Sequence, residues 1–127
     1  MRRKLVIIAV VLALLGALCT AEQLGVKAVT DETLAGARAV IASVHAGDMP
    51  GALVRARALD EEWDRKASVL ELVVDHRSTD DVRFAFSRLI AALEGEDREA
   101  ALIYAAELEG GVEHVYERQA LLMENIL

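Results

Sequence analysis

An all-α fold is predicted: an N-terminal transmembrane or signal helix, followed by two antiparallel helical hairpins forming a four-helix bundle or a short helical-repeat stack. Three observations predict it. Apolar residues make up 54% of the 127-residue chain, yet aromatics only 4%, so the apolar mass is Ala, Leu and Val, and the first two are strong helix formers. Proline occurs once, so almost nothing interrupts long helices. Finally, the downstream residues repeat at helical spacing around two similar turn signals.

The first element is an address. Arg2, Arg3 and Lys4 precede an unbroken apolar run from Leu5 to Cys19, extended by Thr20 and Ala21 before the first acid, Glu22. A basic flank, an apolar stretch and small residues at the exit make a secretion signal. The run reaches the lower length limit for a membrane-spanning helix. The basic flank stays cytoplasmic, which puts the rest outside. Three fates are open: an uncleaved anchor, cleavage after Ala21 to give a secreted form, and lipidation of Cys19. The length of the run favours the anchor, and Leu18 stands where a lipobox needs a small residue. The expectation is therefore a single-pass cell-membrane protein with residues 1–21 as anchor, 22–29 as linker and 30–127 as an extracytoplasmic helical domain.

Beyond the anchor, 11 basic residues face 21 acidic ones, a balance of −10. Such a surface repels phosphate backbones, so no nucleic-acid partner is expected. The expected partners are the membrane, through residues 5–21, and a protein. Cys19 is the only cysteine, which excludes an intrachain disulfide and a Cys-based metal site.

Shifting the chain by 49 residues aligns two halves without a gap, 30–76 and 79–125. Thr30-Asp31-Glu32 meets Thr79-Asp80-Asp81, Val40-Ile41-Ala42 meets Leu89-Ile90-Ala91, Asp48 meets Asp97, and Ala52, Ala56 and Leu59 meet Ala101, Ala105 and Leu108. Leu72-Val73-Val74 meets Leu121-Leu122-Met123. Each half reads as a short helix, a tight turn and a long helix. In the first, Thr30 opens a helix with Leu34, Ala37, Ile41 and Val44 on one face, Gly47 closes it, and Asp48 caps the next with Pro50 in its first turn. In the second, Phe86, Leu89, Ile90 and Leu93 form the face, Gly95 is the stop and Asp97 the cap. The long helices are expected near Met49–His76 and Arg98–Asn125. Their seams are Ala56, Leu59, Trp63, Ala67, Leu70 and Val74, and then Ala105, Leu108, Val112, Val115, Gln119, Leu122 and Ile126. Gly110-Gly111 is a point where the last helix could bend or split.

Trp63 after Asp60-Glu61-Glu62, Leu72-Val73-Val74-Asp75-His76 before Asp80-Asp81-Val82, and the ending Glu124-Asn125-Ile126-Leu127 occur here together with the basic-then-apolar start. With these features the whole chain resembles a domain-of-unknown-function family of small bacterial proteins, associated with Gram-positive spore formers. The resemblance implies an N-terminal anchor, an extracytoplasmic helical domain and no assigned activity, and it brings no catalytic residues. A bulky apolar residue is usual in that family where Thr79 stands.

Nucleotide loops, catalytic Ser/His/Asp groupings and metalloprotease helices are not found, and no cofactor is expected. One constellation merits weighing: Asp75, His76, Asp80 and Asp81, which could hold a divalent cation or act as an acid and base pair. The competing reading makes it a turn, with His76 at a helix C-terminus and Ser78 or Thr79 capping the next helix. Trp63 is a candidate partner contact, although its seam spacing suits a core. The favoured function is a membrane-anchored interaction or envelope-associated module. The alternative is a cation-dependent or hydrolytic enzyme centred on His76.

Overall fold

A computed structural model of the protein describes residues 1–72 and 74–126, with the backbone alone at positions 122, 123 and 126. The described residues form four α-helices and no strand: α1 (Arg2–His45), α2 (Met49–Leu70), α3 (His76–Glu94) and α4 (Arg98–Ile126). Each helix packs against its two neighbours in chain order, and α4 closes the ring against α1. The arrangement is therefore an up-down-up-down four-helix bundle, rather than a repeat stack.

The apolar run expected as an anchor and the first bundle helix are one element. The segment 22–29, expected as a linker, is helical, and α1 runs unbroken for 44 residues. Thr30, expected to open a helix, lies inside one and is 1% exposed. The buried stripe of α1 is Val26, Thr30, Thr33, Ala37, Val40 and Val44, at 4-3-4-3-4 spacing. Two threonines can occupy it because each hydroxyl donates to a carbonyl of the preceding turn, Thr30 to Lys27 at 3.0 Å and Thr33 to Val29 at 2.8 Å. Among the described residues, α1 is the one helix long and apolar enough to cross a membrane, and none of its most apolar 18-residue window is buried.

One core runs through the bundle, with Trp63, Phe86, Leu89 and Leu108 as its largest fully buried side chains. The seam residues Ala56, Trp63, Ala67 and Leu70 are buried as expected, as are Ala105, Leu108, Val112, Val115 and Gln119. Leu122 and Ile126 lie outside the described side chains. Gly110-Gly111 neither splits nor ends α4, which continues to Ile126.

The turns 46–48 and 95–97 are one device used twice. Ala46, Gly47 and Asp48 donate their N–H groups to Ala42, Val44 and Ser43, and Gly95, Glu96 and Asp97 donate to Ala91, Leu93 and Ala92, the same pattern 49 residues on. Asp48 then accepts from the Gly51 N–H at 3.0 Å, and Asp97 from that of Ala100 at 3.1 Å. The sequence misplaces one part of the second turn. Gly95 is not its left-handed residue; Glu96 is, at φ 54°, where the first turn has Gly47 at φ 79°. A side chain at such an angle crowds the backbone. Glu96→Gly should therefore stabilise the bundle by about 0.5–1 kcal/mol, and Gly47→Ala should destabilise it by about 1–2 kcal/mol. Urea unfolding followed by circular dichroism checks both.

α2 ends at Leu70 rather than His76, and the turn 71–75 follows. Asp75 caps α3 by accepting from the Arg77 N–H at 2.9 Å, a role expected of Ser78 or Thr79. Aspartate is among the strongest cap formers. Ser78 and Thr79 instead point inward, 2% and 0% exposed. The second half of the alignment thus starts at His76. Within the expected match of 72–74 to 121–123, Leu72 lies in a turn whereas its counterpart Leu121 lies in a helix, and Val73 lies outside the described residues.

Candidate functional site

Ion pairs cross all four helix seams and fix their antiparallel register. Lys66 bridges to Glu32 of α1, Arg83 reaches Asp64 of α2 at 3.3 Å, Arg88 reaches Glu107 of α4 at 3.7 Å, and Arg38 reaches Glu109 at 3.9 Å. This register puts the turn 71–75, the start of the α1 stripe and the last turns of α4 at one end of the bundle. That end is the one facing the apolar run of α1.

The four residues singled out as a cluster diverge there. Asp75 turns toward α4 and pairs with Arg118 at 3.4 Å, and Asp80 pairs with Arg83 at 3.5 Å. His76 is the first residue of α3, not the last of α2, and its exposed ring lies with Nδ1 3.5 Å from Glu71 Oε2. His76 thus stands at a helix N-terminus, so the dipole benefit expected of a C-terminal position does not apply. Asp81 is exposed. Among the described residues no group of three or more His, Cys, Asp or Glu side chains is placed to hold a metal ion.

Glu71, which the sequence reading passed over, organises the turn. Its carboxylate also meets Arg83 at 3.3 Å and the Thr79 hydroxyl at 3.2 Å, while that hydroxyl lies 2.9 Å from the His76 carbonyl. The polar Thr79 thus fits a position already supplied with a carboxylate. Trp63 is 1% exposed and its indole is enclosed in the core, so it offers no surface to a partner.

A groove between α1 and α2 at this end, open to solvent, has a volume of about 630 Å³. Gly25, Val26 and Val29 form one wall, and Val69, Leu70 and Leu72 the other. Glu22 stands at the end nearer the apolar run, and Arg65 and Lys66 at the far end. Val69 and Leu72 are 67% and 83% exposed, a large apolar display for a soluble surface. Gly25 faces open space, since a Cβ placed there meets no atom within 4 Å. The groove could be suspected from off-seam apolar residues at 69 and 72, but its other wall lies some forty positions earlier. A smaller pocket of about 270 Å³ lies between α3 and α4, beside Ser78, Arg118 and Gln119, whose buried Oε1 has no hydrogen-bond partner among the described residues.

Charge along α2 is uneven. Hydrogen bonds to Glu32 and Glu62 hold the Lys66 ammonium above its usual range, and the bond from Lys66 holds the Glu62 carboxyl below its own. Asp60 is raised, first by partial burial and then by Asp64 and Glu61, against Arg83. Folded Asp60 therefore keeps its proton to higher pH than the unfolded chain does. The folded state loses stability as pH rises through that raised value. Asp60→Asn should stabilise the bundle at pH 7 by about 0.5 kcal/mol or less after solvent screening. The gain should vanish at pH values below the ordinary carboxylate range. Thermal melts of both proteins across pH 3–7 check the crossover.

Among known proteins, no curated protein and no solved structure matches the chain. One family does match, over residues 23–126, beginning just after the apolar run and covering the whole bundle. The chain accordingly belongs to the family described as Domain of unknown function (DUF4363).

Proposed function

We propose that the protein is a membrane-anchored helical module whose bundle is held against the extracytoplasmic face of the cell membrane, where it engages a protein partner of the envelope. The observation that carries this reading is the continuity of α1. Its exposed apolar run passes without a break into the buried stripe that begins at Val26, so the bundle is joined to the anchor by helix rather than by a flexible linker. The basic Arg2-Arg3-Lys4 flank supports an orientation with the N-terminus inside. The resemblance to proteins of spore-forming bacteria is the reason to look for the partner at a developing envelope.

Membranes washed in alkaline carbonate should retain the full-length chain, and protease added outside intact cells stripped of their wall should digest the bundle. Replacing Arg2, Arg3 and Lys4 with Glu should impair or invert insertion. A soluble product beginning at Glu22 would sink the anchored reading in favour of secretion.

A further inference from the structure

We infer that the α1–α2 groove holds a phospholipid of the surrounding bilayer, raised partly out of its leaflet, with its phosphate at Arg65 and the upper part of one acyl chain lying along Val29, Val69 and Leu72. The inference rests on the membrane-anchored reading above. Three observations carry it. The first is continuity with the anchor: the groove begins at Glu22, the residue after the apolar run, and follows α1 to Val29, about 10 Å at 1.5 Å per residue. The second is the shortness of the run. Residues 5–21 span about 26 Å, whereas the hydrocarbon core is about 30 Å thick. The deficit is made up by drawing the next three residues and whatever is level with them toward the acyl region. Those three are Glu22, Gln23 and Leu24: Glu22 stands at the mouth of the groove, Leu24 is 64% exposed outside its lining, and the groove's own Leu72 is 83% exposed.

The third observation is charge. The walls are apolar, while the end farthest from the anchor carries Arg65 and Lys66. Lys66 is already bonded to Glu32 and Glu62, whereas Arg65 is exposed and has no carboxylate within ion-pair distance among the described residues. A phosphate at Arg65 and a chain descending along the apolar walls match the surface between the basic end and the mouth, where the Glu22 carboxylate stands level with the lipid headgroups.

The test uses the full-length chain in nanodiscs of phosphatidylcholine and phosphatidylglycerol, doped with a phosphatidylcholine bearing a diazirine in the upper part of one acyl chain, near its ester carbonyl. After illumination, adducts are mapped by mass spectrometry. Adducts are expected within residues 5–21 and also at Val69 and Leu72. At Gly25 a Cβ meets no described atom within 4 Å, so Gly25→Leu can direct its side chain into the groove, and groove adducts should fall about tenfold while those within 5–21 persist. Gly16→Leu, equally open but within the apolar run, should leave groove adducts unchanged. Arg65→Gln should reduce them about threefold. Adducts confined to 5–21, or groove adducts indifferent to Gly25→Leu, overturn the lipid site and leave the anchor standing. An absence of adducts within 5–21 removes the anchor itself, and the lipid site with it.

Discussion

Trp63→Ala is expected to lower the folding free energy of the bundle by about 3–5 kcal/mol. Trp63 has the largest side chain in the core, is 1% exposed, and stands on a helix whose other buried residues are Ala52, Ala56, Ala67 and Leu70. Three alanines cannot close over the space an indole leaves, so the cavity persists and the upper half of the range applies. A bundle of this size has only about 5–15 kcal/mol to lose. The variant should therefore melt at a much lower temperature or populate unfolded chains at room temperature. Trp63→Phe separates volume from polarity. The indole N–H is buried without an acceptor among the described residues, so replacing it removes an unsatisfied donor, and the net cost should be about 1 kcal/mol or less. Chemical unfolding of the full-length chain in detergent micelles, followed by far-ultraviolet circular dichroism, reads both. A Trp63→Ala protein as stable as the parent would mean that the ring is not in the core.

Ala56→Leu is expected to destabilise the bundle by about 1–3 kcal/mol, through the opposite mechanism. Ala37, Ala52, Ala56, Ala67, Ala101 and Ala105 are all completely buried, so much of the inter-helix surface is methyl against backbone. Close approach is visible at Gly36, where a Cβ would stand 2.5 Å from Leu59 Cδ1. Three added carbons at Ala56 have no room unless α2 moves away from its neighbours, which loosens seams on both sides. Leucine is nearly as good a helix former as alanine, so the loss would report packing and not propensity. The same change at the exposed Ala58 supplies the control and should be close to neutral.

Much of this architecture was legible because it is local or periodic. The Gly47-Asp48-Pro50 and Asp97 signals name their turns, and the 3-4 spacing through Trp63 and through Leu108 names the buried faces. The errors arise where one residue type serves two purposes. Thr30-Asp31-Glu32 has the composition of a helix start, yet Thr30 sits mid-helix because its hydroxyl bonds to the preceding turn and its methyl joins the core. Asp75, Ser78 and Thr79 are all competent caps, and the choice among them depends on burial and on Glu71, neither of which is a local property. Glu96 holds a left-handed angle that residue type disfavours, because the flanking helices dictate the turn. The groove was the least legible feature. It exists only once α1 and α2 lie side by side, and sequence periodicity reports the faces that are buried, not the hollows left between them.

In the anchored arrangement proposed above, an uninterrupted α1 also ties the bundle to the bilayer in angle. An α-helix advances about 100° per residue, so every residue between Ala21 and Val26 sets which way the groove points around the membrane normal. Inserting one alanine there would raise the bundle by only about 1.5 Å but would swing it through more than a quarter turn. Two such insertions would turn it through about 200°, nearly the opposite side, and four would bring it to within about 40° of its starting direction. A process that depends on a partner held in the same membrane should therefore respond to the helical phase of the junction rather than to its length.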